Sequence, residues 1–329
     1  MSRPVEKLAV PPTNDGFVHA AGYFLHLTRA VEEAGKRLYL QGRLPGSFYD
    51  GRGQEATAVG AALAMLPDDV ACPLIRDMGV HLVRGVSAEE LLRHYLGKAG
   101  APMEGRDGNI HLGALDRGTI PMISHLPEML PVGMGVALAR LWQGTASAAL
   151  CFCGDGASAG GVFHETLNLA ALWSAPIVVV VERNHFAYMT PESVYLPVER
   201  LSGRAVGYGI ESDTVDGNDV FAVHETVGRA LEHARSGAGP VLVEAFTYRM
   251  HGHGAHDAQR YVPAEELELW ATRDPLTRWH ERAGAEHGWT ESDQSDLETR
   301  IADELSAAVA AALAADYPDP AGLAPSVFA

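Results

Sequence analysis

Two polar residues stand where apolar segments of the chain end, and both carry oxygen atoms that can bind a metal ion. Asp155 lies between two glycines directly after the apolar segment 148–153, and Asn184 follows the apolar segment 177–181. The residues between these segments have the spacing of an amphipathic helix. The pattern predicts a strand, a glycine turn, a helix and a second strand, with Asp155 and Asn184 at the carboxyl ends of the two strands.

This arrangement suits a divalent cation that holds a diphosphate. Gly154 and Gly156 let the backbone approach an anion, and the N-terminus of the following helix offers free N–H groups. A carboxylate beside an anion site makes sense if a hard cation lies between them, and Mg²⁺ binds such oxygens together with phosphate. Gly-Asp-Gly alone is a common turn. Its combination with a helix, a second strand and Asn184 favours the metal and diphosphate site.

Strand-like and helix-like segments alternate along the chain, which predicts an α/β fold with a doubly wound, mainly parallel sheet and helices on both faces. We expect an N-terminal arm at 1–13, a single α/β domain at 14–315 with helical N- and C-terminal parts, and a C-terminal tail at 316–329. The predicted strands are 70–75, 148–153, 177–181, 210–215 and 241–246, and the other predicted helices are 15–41, 54–65, 88–96, 130–142, 220–234, 264–272, 276–285 and 291–315.

Composition limits the classes of partner. The chain has 329 residues and a formal charge of −17, from 42 acidic and 25 basic residues. This balance disfavours a nucleic-acid partner, because phosphate backbones select clustered lysine and arginine. A small anionic ligand needs only a few local donors. No apolar segment approaches the roughly 18 residues of a membrane span, so no membrane partner is expected either.

The sulfur and indole side chains are expected in the core. Cys72, Cys151 and Cys153 are interpreted as buried, reduced thiols, and Trp142 and Trp173 as core residues. The N-terminal sequence has no apolar core of signal-peptide length. Together these features predict a cytoplasmic protein.

The stretch from Asp155 to Asn184 resembles the thiamine-diphosphate fingerprint, which begins with Gly-Asp-Gly and ends near two asparagines. The two residues are 29 positions apart. The wider sequence, over about residues 15–329, resembles the alpha subunit of a 2-oxo acid dehydrogenase first component, the group that includes pyruvate, branched-chain and acetoin dehydrogenases. The motifs that carry the resemblance are Gly53-Gln54-Glu55-Ala56, Arg76 before a glycine, Gly108-Asn109-Ile110-His111, Pro131-Val132-Gly133-Met134-Gly135 and His251-Gly252-His253.

The resemblance implies a role for individual residues. The side chains of Asp155 and Asn184, and the carbonyl oxygen of Phe186, would bind Mg²⁺. His253 would contact the cofactor's phosphates and take part in catalysis, and His125 would orient the substrate carboxylate or serve only as polar loop structure. The remaining residues implied in binding thiamine diphosphate are Arg76, Ser124, Leu126, Gly154, Gly156 and Ala157.

Several positions depart from the family pattern, among them Phe186, where tyrosine is usual, and Gly254, where some relatives carry a serine. Ile75 stands where tyrosine is common, Met78 where histidine is common, and His81 where small or apolar residues are usual. These three changes leave cofactor binding in place and put the identity of the substrate in question. Arg183 replaces the first asparagine of the fingerprint and is expected either to contact a phosphate or to be a surface charge.

The histidine-rich loop offers a second kind of metal site. His251, His253 and His256, together with Asp257, have a spacing that zinc can use. A role in facing the phosphates and ordering the loop suits these residues better.

The resemblance implies only half of an active site. Thiamine diphosphate needs a carboxylate that hydrogen-bonds to its aminopyrimidine ring, and in the family this glutamate belongs to a beta subunit. Since the strand signals of the chain suffice for one sheet, we expect an α2β2 assembly with the cofactor at the interface and the tail 316–329 on a partner subunit.

The implied reaction is decarboxylation of a small 2-oxo acid with acyl transfer to a lipoyl acceptor, for which a lipoyl acyltransferase would be a further partner. Two alternatives stay open. One is thiamine-diphosphate-dependent carboligation or acyloin cleavage without a lipoyl partner. The other is a non-catalytic module that binds a magnesium–nucleotide complex.

Overall fold

Five parallel strands form the centre of the fold, in the order β1-β2-β3-β7-β6. A separate antiparallel hairpin follows β3. The strands are β1 (Val70–Cys72), β2 (Ala149–Gly154), β3 (Ile177–Arg183), the hairpin strands β4 (Phe186–Ala187) and β5 (Thr190–Pro191), β6 (Glu211–Asp216) and β7 (Val241–Phe246). The computed structural model describes residues 14–106 and 111–324. The predicted arm at 1–13 therefore lies outside the described residues, as do 107–110 and 325–329.

Helices cover both faces of the sheet. The helices are α1 (Asn14–Leu40), α2 (Glu55–Leu63), α3 (Met78–Val83), α4 (Ala88–Tyr95), α5 (Met129–Trp142), α6 (Gly161–Leu172), α7 (Glu192–Tyr195), α8 (Ala205–Tyr208), α9 (Val220–Arg235), α10 (Ala264–Ala271), α11 (Pro275–His287) and α12 (Glu291–Ala314). One face packs on α2 and α9, and the other on α5 and α6. Helices α1, α4, α11 and α12 form a further apolar cluster outside α2. The predicted α/β class with a doubly wound parallel sheet is confirmed.

The direction of the strand connections changes between β3 and β7. Helix α6 connects β2 to β3 on one face of the sheet, and α9 connects β6 to β7 on the other. The two connections therefore lead into the neighbouring strands β3 and β7 from opposite directions. In open parallel sheets, ligands bind at such a switch point.

Burial corrects one prediction and confirms another. Cys72, Cys151 and Cys153 are all buried free thiols, as predicted for strands that are covered on both faces. Trp142 and Trp173 were predicted in the core, but their side chains are 76% and 50% exposed. They lie at or just beyond the C-terminal ends of α5 and α6.

Within the described part of the chain, no helix has the length and apolar character needed to cross a membrane.

Candidate cofactor and metal site

The carboxyl ends of β2, β3 and β7 lie side by side and bring the polar residues of three loops together. Asp155 follows β2, and its backbone N–H donates to the carbonyl of Glu182 at 3.2 Å. Asn184 follows β3, and its carbonyl accepts from the backbone N–H of Arg249, after β7, at 3.4 Å. The structure therefore places Asp155 and Asn184 at one edge of the sheet, where the loop 247–257 joins them.

Asp155 carries a buried carboxyl group that accepts hydrogen bonds from two backbone N–H groups. Only 1% of the residue is exposed. Its Oδ1 accepts from the N–H of Gly156 at 2.7 Å, and its Oδ2 from the N–H of His185 at 2.9 Å. No arginine or lysine within the described ranges forms an ion pair with it, and burial raises its pKa. A buried carboxyl without a paired cationic side chain suits a site that receives a cation.

Asn184 presents its side-chain oxygen on the side of the hairpin. Its Nδ2 donates to Oε1 of Gln54 at 2.7 Å, and its Oδ1 accepts from the N–H of Phe186 at 3.3 Å. Phe186 is 6% exposed, and its ring packs edge-on against Tyr248 and Tyr261. The aromatic ring thus serves packing, and a metal contact at this residue would need only its backbone carbonyl.

The glycine loop leaves room for a ligand at one position and closes against the hairpin at another. A Cβ added to Gly154 would meet no atom of the described residues within 4 Å. A Cβ on Gly156 would lie 2.4 Å from Cβ of Ala187 in the hairpin. A single 3-10 turn beginning at Ala157 then leads into α6. The open space beside Gly154 suits the close approach of a phosphate.

Two buried arginines supply positive charge. Arg76 donates from Nη1 to the carbonyl of Asp50 at 2.7 Å and from Nη2 to the carbonyl of His253 at 2.6 Å. Burial, and then repulsion from Arg249, lower the pKa of Arg76. Arg249 is 2% exposed, and its guanidinium lies 5.3 Å from the ring centroid of Phe186. The carboxyls of Asp50, Glu182 and Glu32 attract Arg76, and an anionic ligand would further offset the repulsion between the two guanidinium groups.

His253 is enclosed by aromatic rings and stays neutral. Its ring centroid lies 5.3 Å from that of Tyr49 and 4.0 Å from that of Tyr188. Burial and the neighbouring Arg76 lower the pKa of His253 to about 4. Its backbone N–H donates to Oδ2 of Asp257 at 2.7 Å, which fixes the loop that carries it. At neutral pH the imidazole can therefore donate or accept a hydrogen bond without carrying charge.

The segment 124–126 lies at the surface beside the start of α6. Oγ of Ser124 is 2.5 Å from Nε2 of His111, and Leu126 is 46% exposed. His125 is exposed between them. A Cβ on Gly160 would lie 3.2 Å from Cδ of Pro127, which follows this segment. The segment therefore borders the loop that leads into α6.

The zinc alternative finds no support. In the described ranges, 14–106 and 111–324, no three His, Cys, Asp or Glu side chains form a group that could hold a metal ion. Nδ1 of His251 instead lies 2.8 Å from Oδ1 of Asp50. Asp257 is occupied by backbone donors and by the hydroxyl of Tyr261 at 2.7 Å.

Arg183 is buried, so the prediction of a surface charge is wrong, and ion pairs within the protein occupy its guanidinium. It is 8% exposed. Its guanidinium donates to Glu192 at 2.8 Å and to Glu244 at 2.9 Å, and it stacks 4.7 Å from the ring centroid of Phe246. These acceptors lie on α7 and β7. Arg183 thus ties the segment that follows the hairpin to the sheet.

Two of the other departures belong to the core. Met78 and His81 are 2% and 1% exposed on the short helix α3, and Ile75 is partly buried against the core. Burial lowers the pKa of His81 to about 3. Because Met78 and His81 are enclosed by packing, they act on stability and offer no side-chain surface to a substrate.

The sequence predicts no individual role for three residues of the site, which are Gln54, Tyr188 and Arg249. Gln54 lies within the Gly-Gln-Glu-Ala motif, which is the one signal that could have found it. Tyr188 and Arg249 have no comparable sequence signal, because they reach the site from the hairpin and from the loop after β7.

The fold and the site together define an α/β protein that gathers polar and charged groups at the carboxyl ends of its central strands. A buried carboxyl, an oriented amide, an open glycine loop and two arginines meet at the switch point of the sheet. Their chemistry fits Mg²⁺ and a diphosphate.

Comparison with known proteins identifies the family. The family model described as "Dehydrogenase E1 component" matches residues 24–321. The alpha subunit of acetoin:2,6-dichlorophenolindophenol oxidoreductase from Cupriavidus necator is 34% identical over 91% of each chain. The 2-oxoisovalerate dehydrogenase alpha subunit from Bacillus subtilis is 36% identical over 76% of each chain, and the pyruvate dehydrogenase E1 alpha subunit from Porphyra purpurea is 28% identical over 100% of this chain and 99% of its own length.

The chain therefore belongs to the dehydrogenase E1 component family, and its relatives are alpha subunits. The family and the enzyme class predicted from the sequence are confirmed. Membership of an enzyme family removes the alternative of a non-catalytic nucleotide-binding module.

Proposed function

We propose that this chain is the alpha subunit of an enzyme that uses thiamine diphosphate and Mg²⁺ to decarboxylate a small 2-oxo acid and transfers the acyl group to a lipoyl acceptor. The observation that carries the proposal is the meeting of Asp155, Asn184 and the glycine loop at one edge of the sheet in a member of this family. When bound, thiamine diphosphate supplies the electron sink that decarboxylation requires.

The residues of this chain hold and orient the cofactor. Asp155, Asn184 and the carbonyl of Phe186 bind the cation, a mixed set of oxygen ligands that Mg²⁺ accepts. The backbone from Gly154 to Ala157 faces the diphosphate.

Arg76 and the neutral His253 complete the diphosphate site. Ser124 and Leu126 border the cofactor, and His125 orients the carboxylate of the 2-oxo acid. Burial and local charge support the roles of Arg76 and His253. The position of the segment 124–126 next to the loop before α6 supports its place along the cofactor.

A beta subunit completes the site in an α2β2 assembly, because the carboxylate that faces the aminopyrimidine ring belongs to that partner. The tail 316–329 packs on a partner subunit in this proposal. In its described part, Asp316 accepts from the N–H of Ala99 at 2.9 Å, and Tyr317 leaves 69% of its surface exposed. The proposed cellular compartment is the cytoplasm, and a lipoyl acyltransferase is the proposed third component.

Acyloin cleavage without a lipoyl partner is the second candidate. It is favoured by two relatives named as acetoin:2,6-dichlorophenolindophenol oxidoreductase alpha subunits, from Cupriavidus necator and Bacillus subtilis, each of which matches 91% of this chain.

The test is turnover by the chain assembled with its beta subunit. Pyruvate, 3-methyl-2-oxobutanoate and acetoin are compared by kcat/KM with dichlorophenolindophenol as electron acceptor, with and without thiamine diphosphate and Mg²⁺. Acylation of an added lipoyl domain separates the two candidates. Turnover without thiamine diphosphate, or by the alpha chain alone, would contradict the proposal.

A further inference from the structure

Gln54 lies fully buried directly behind Asn184. It is 0% exposed, and its Oε1 accepts from Nδ2 of Asn184 at 2.7 Å. Its own Nε2 has no hydrogen-bond partner among the residues that the structure describes. Its contact to Asn184 thus runs through the acceptor oxygen.

The backbone around Gln54 is fixed by close packing. Its N–H donates to the carbonyl of Gly51 at 2.8 Å, and its carbonyl accepts from the N–H of Thr57 at 3.0 Å. Gly53 adopts φ +93°, and a Cβ there would lie 2.4 Å from the carbonyl oxygen of Tyr248. Only glycine allows this approach. The acceptor of Gln54 is therefore presented from a rigid position.

The contact decides which way the Asn184 amide points. An asparagine amide has one acceptor oxygen and one NH2 donor, and the two ends are exchanged by a half-turn. Gln54 receives the donor end, and the N–H of Phe186 meets the acceptor end at 3.3 Å. Exchange would set the Asn184 NH2 group against the N–H of Phe186, two donors without an acceptor. The oxygen is thus held on the side of Phe186, whose carbonyl is the other proposed ligand after β3.

We propose that Gln54 is a positioning residue, which turns Oδ1 of Asn184 to the metal ion. This inference rests on the proposed function. Some residues hydrogen-bond to a metal ligand and fix its orientation without touching the metal. Replacing such a residue typically lowers metal affinity by about 10- to 100-fold. A purely structural role would lower stability and leave metal affinity unchanged.

The test measures metal affinity of the assembled complex in the presence of excess thiamine diphosphate, by calorimetric titration with Mg²⁺ and by electron paramagnetic resonance with Mn²⁺. Gln54→Met keeps the length of the side chain and removes the acceptor, so a loss of about 10- to 100-fold is expected. Gln54→Glu keeps an acceptor oxygen and should bind the ion at least as tightly as the wild type. The control Thr57→Val removes another buried hydrogen bond near Gln54, to the carbonyl of Gly217 at 2.9 Å, and should leave the affinity unchanged.

Three results would overturn the inference. The metal affinity of Gln54→Met could lie within twofold of the wild type, or Thr57→Val could lose as much metal affinity as Gln54→Met. The third is a full further loss of metal affinity when Gln54→Met is added to Asn184→Ala. If Gln54→Met does not assemble, Gln54→Asn withdraws the acceptor by one methylene and carries the same expectation. A wild-type complex that binds neither Mg²⁺ nor thiamine diphosphate would contradict the proposed function itself. Failure of the proposed function is thereby distinguished from failure of the inference about Gln54.

Discussion

Arg183 stands where the fingerprint has its first asparagine. Its replacement by methionine tests whether its ion pairs inside the protein stabilise the fold. Methionine keeps an unbranched apolar stem and removes the guanidinium. It leaves Glu244, which is 0% exposed, with the backbone N–H of Ser202 at 2.9 Å as its remaining donor. It also releases Glu192, whose side chain is 25% exposed.

The two lost ion pairs differ in magnitude. Removing one partner of a buried pair costs about 3–5 kcal/mol, because an uncompensated charge stays in the interior. The pair with Glu192 is partly solvated and adds at most about 1 kcal/mol. We therefore expect Arg183→Met to lower the free energy of unfolding by about 3–5 kcal/mol, most of it from Glu244.

Urea unfolding followed by circular dichroism measures this loss. The double variant Arg183→Met with Glu244→Gln should recover about half of it or more, since the stranded charge is gone. Arg229→Met is the matched control, because Arg229 pairs with Asp213 and Glu225 at the exposed surface and should cost less than about 1 kcal/mol. If Arg183→Met were no less stable than Arg229→Met, the buried network would not hold the segment after the hairpin to the sheet.

Three further substitutions have distinct expected outcomes. Gly156→Ala should destabilise the fold and weaken thiamine-diphosphate binding at least about tenfold, because the new Cβ would meet Ala187 at 2.4 Å; equal unfolding midpoints would contradict this. Gly154→Ala should leave the midpoint unchanged and weaken only cofactor binding in calorimetry, since its Cβ enters open space among the described residues; unchanged affinity would show that the space is not the diphosphate site. His81→Leu should flatten the pH dependence of stability. Burial lowers the pKa of His81 to about 3, so between about pH 3 and 6.5 the unfolded chain binds more protons, and stability rises with pH by up to about 1.4 kcal/mol per unit. Urea titrations with the same slope in both proteins would refute it.

The sheet and most helices could be predicted from the sequence, because the spacing of apolar residues indicates which positions of each element are buried. Strand β7 (Val241–Phe246) matches its predicted range, and α1 differs by one residue at each end. Helix α3 and the hairpin β4–β5 escaped prediction, because elements of six and two residues are too short to show a period. The prediction that Trp142 and Trp173 are buried is wrong because the size of an indole favours burial only on average. It does not show that these two residues lie at the exposed C-terminal ends of helices.

The site was predictable only where strand topology fixes it. Asp155 and Asn184 follow neighbouring parallel strands, so their proximity follows from chain order alone. Gln54 contacts Asn184 across 130 sequence positions, and Arg183 meets Glu244 across 61. Such pairs depend on how helices and loops pack onto the sheet, and no local pattern reports them.

The most direct test of the account is the binding of thiamine diphosphate to the assembled alpha and beta chains, titrated calorimetrically with and without Mg²⁺. We predict one cofactor per alpha chain, dependence on Mg²⁺, and a loss of at least about 100-fold in Asp155→Ala, which removes a proposed ligand of the cation. Asp116→Ala, whose side chain is 80% exposed, should bind as the wild type does. Wild-type affinity in Asp155→Ala, or binding that ignores Mg²⁺, would contradict the account.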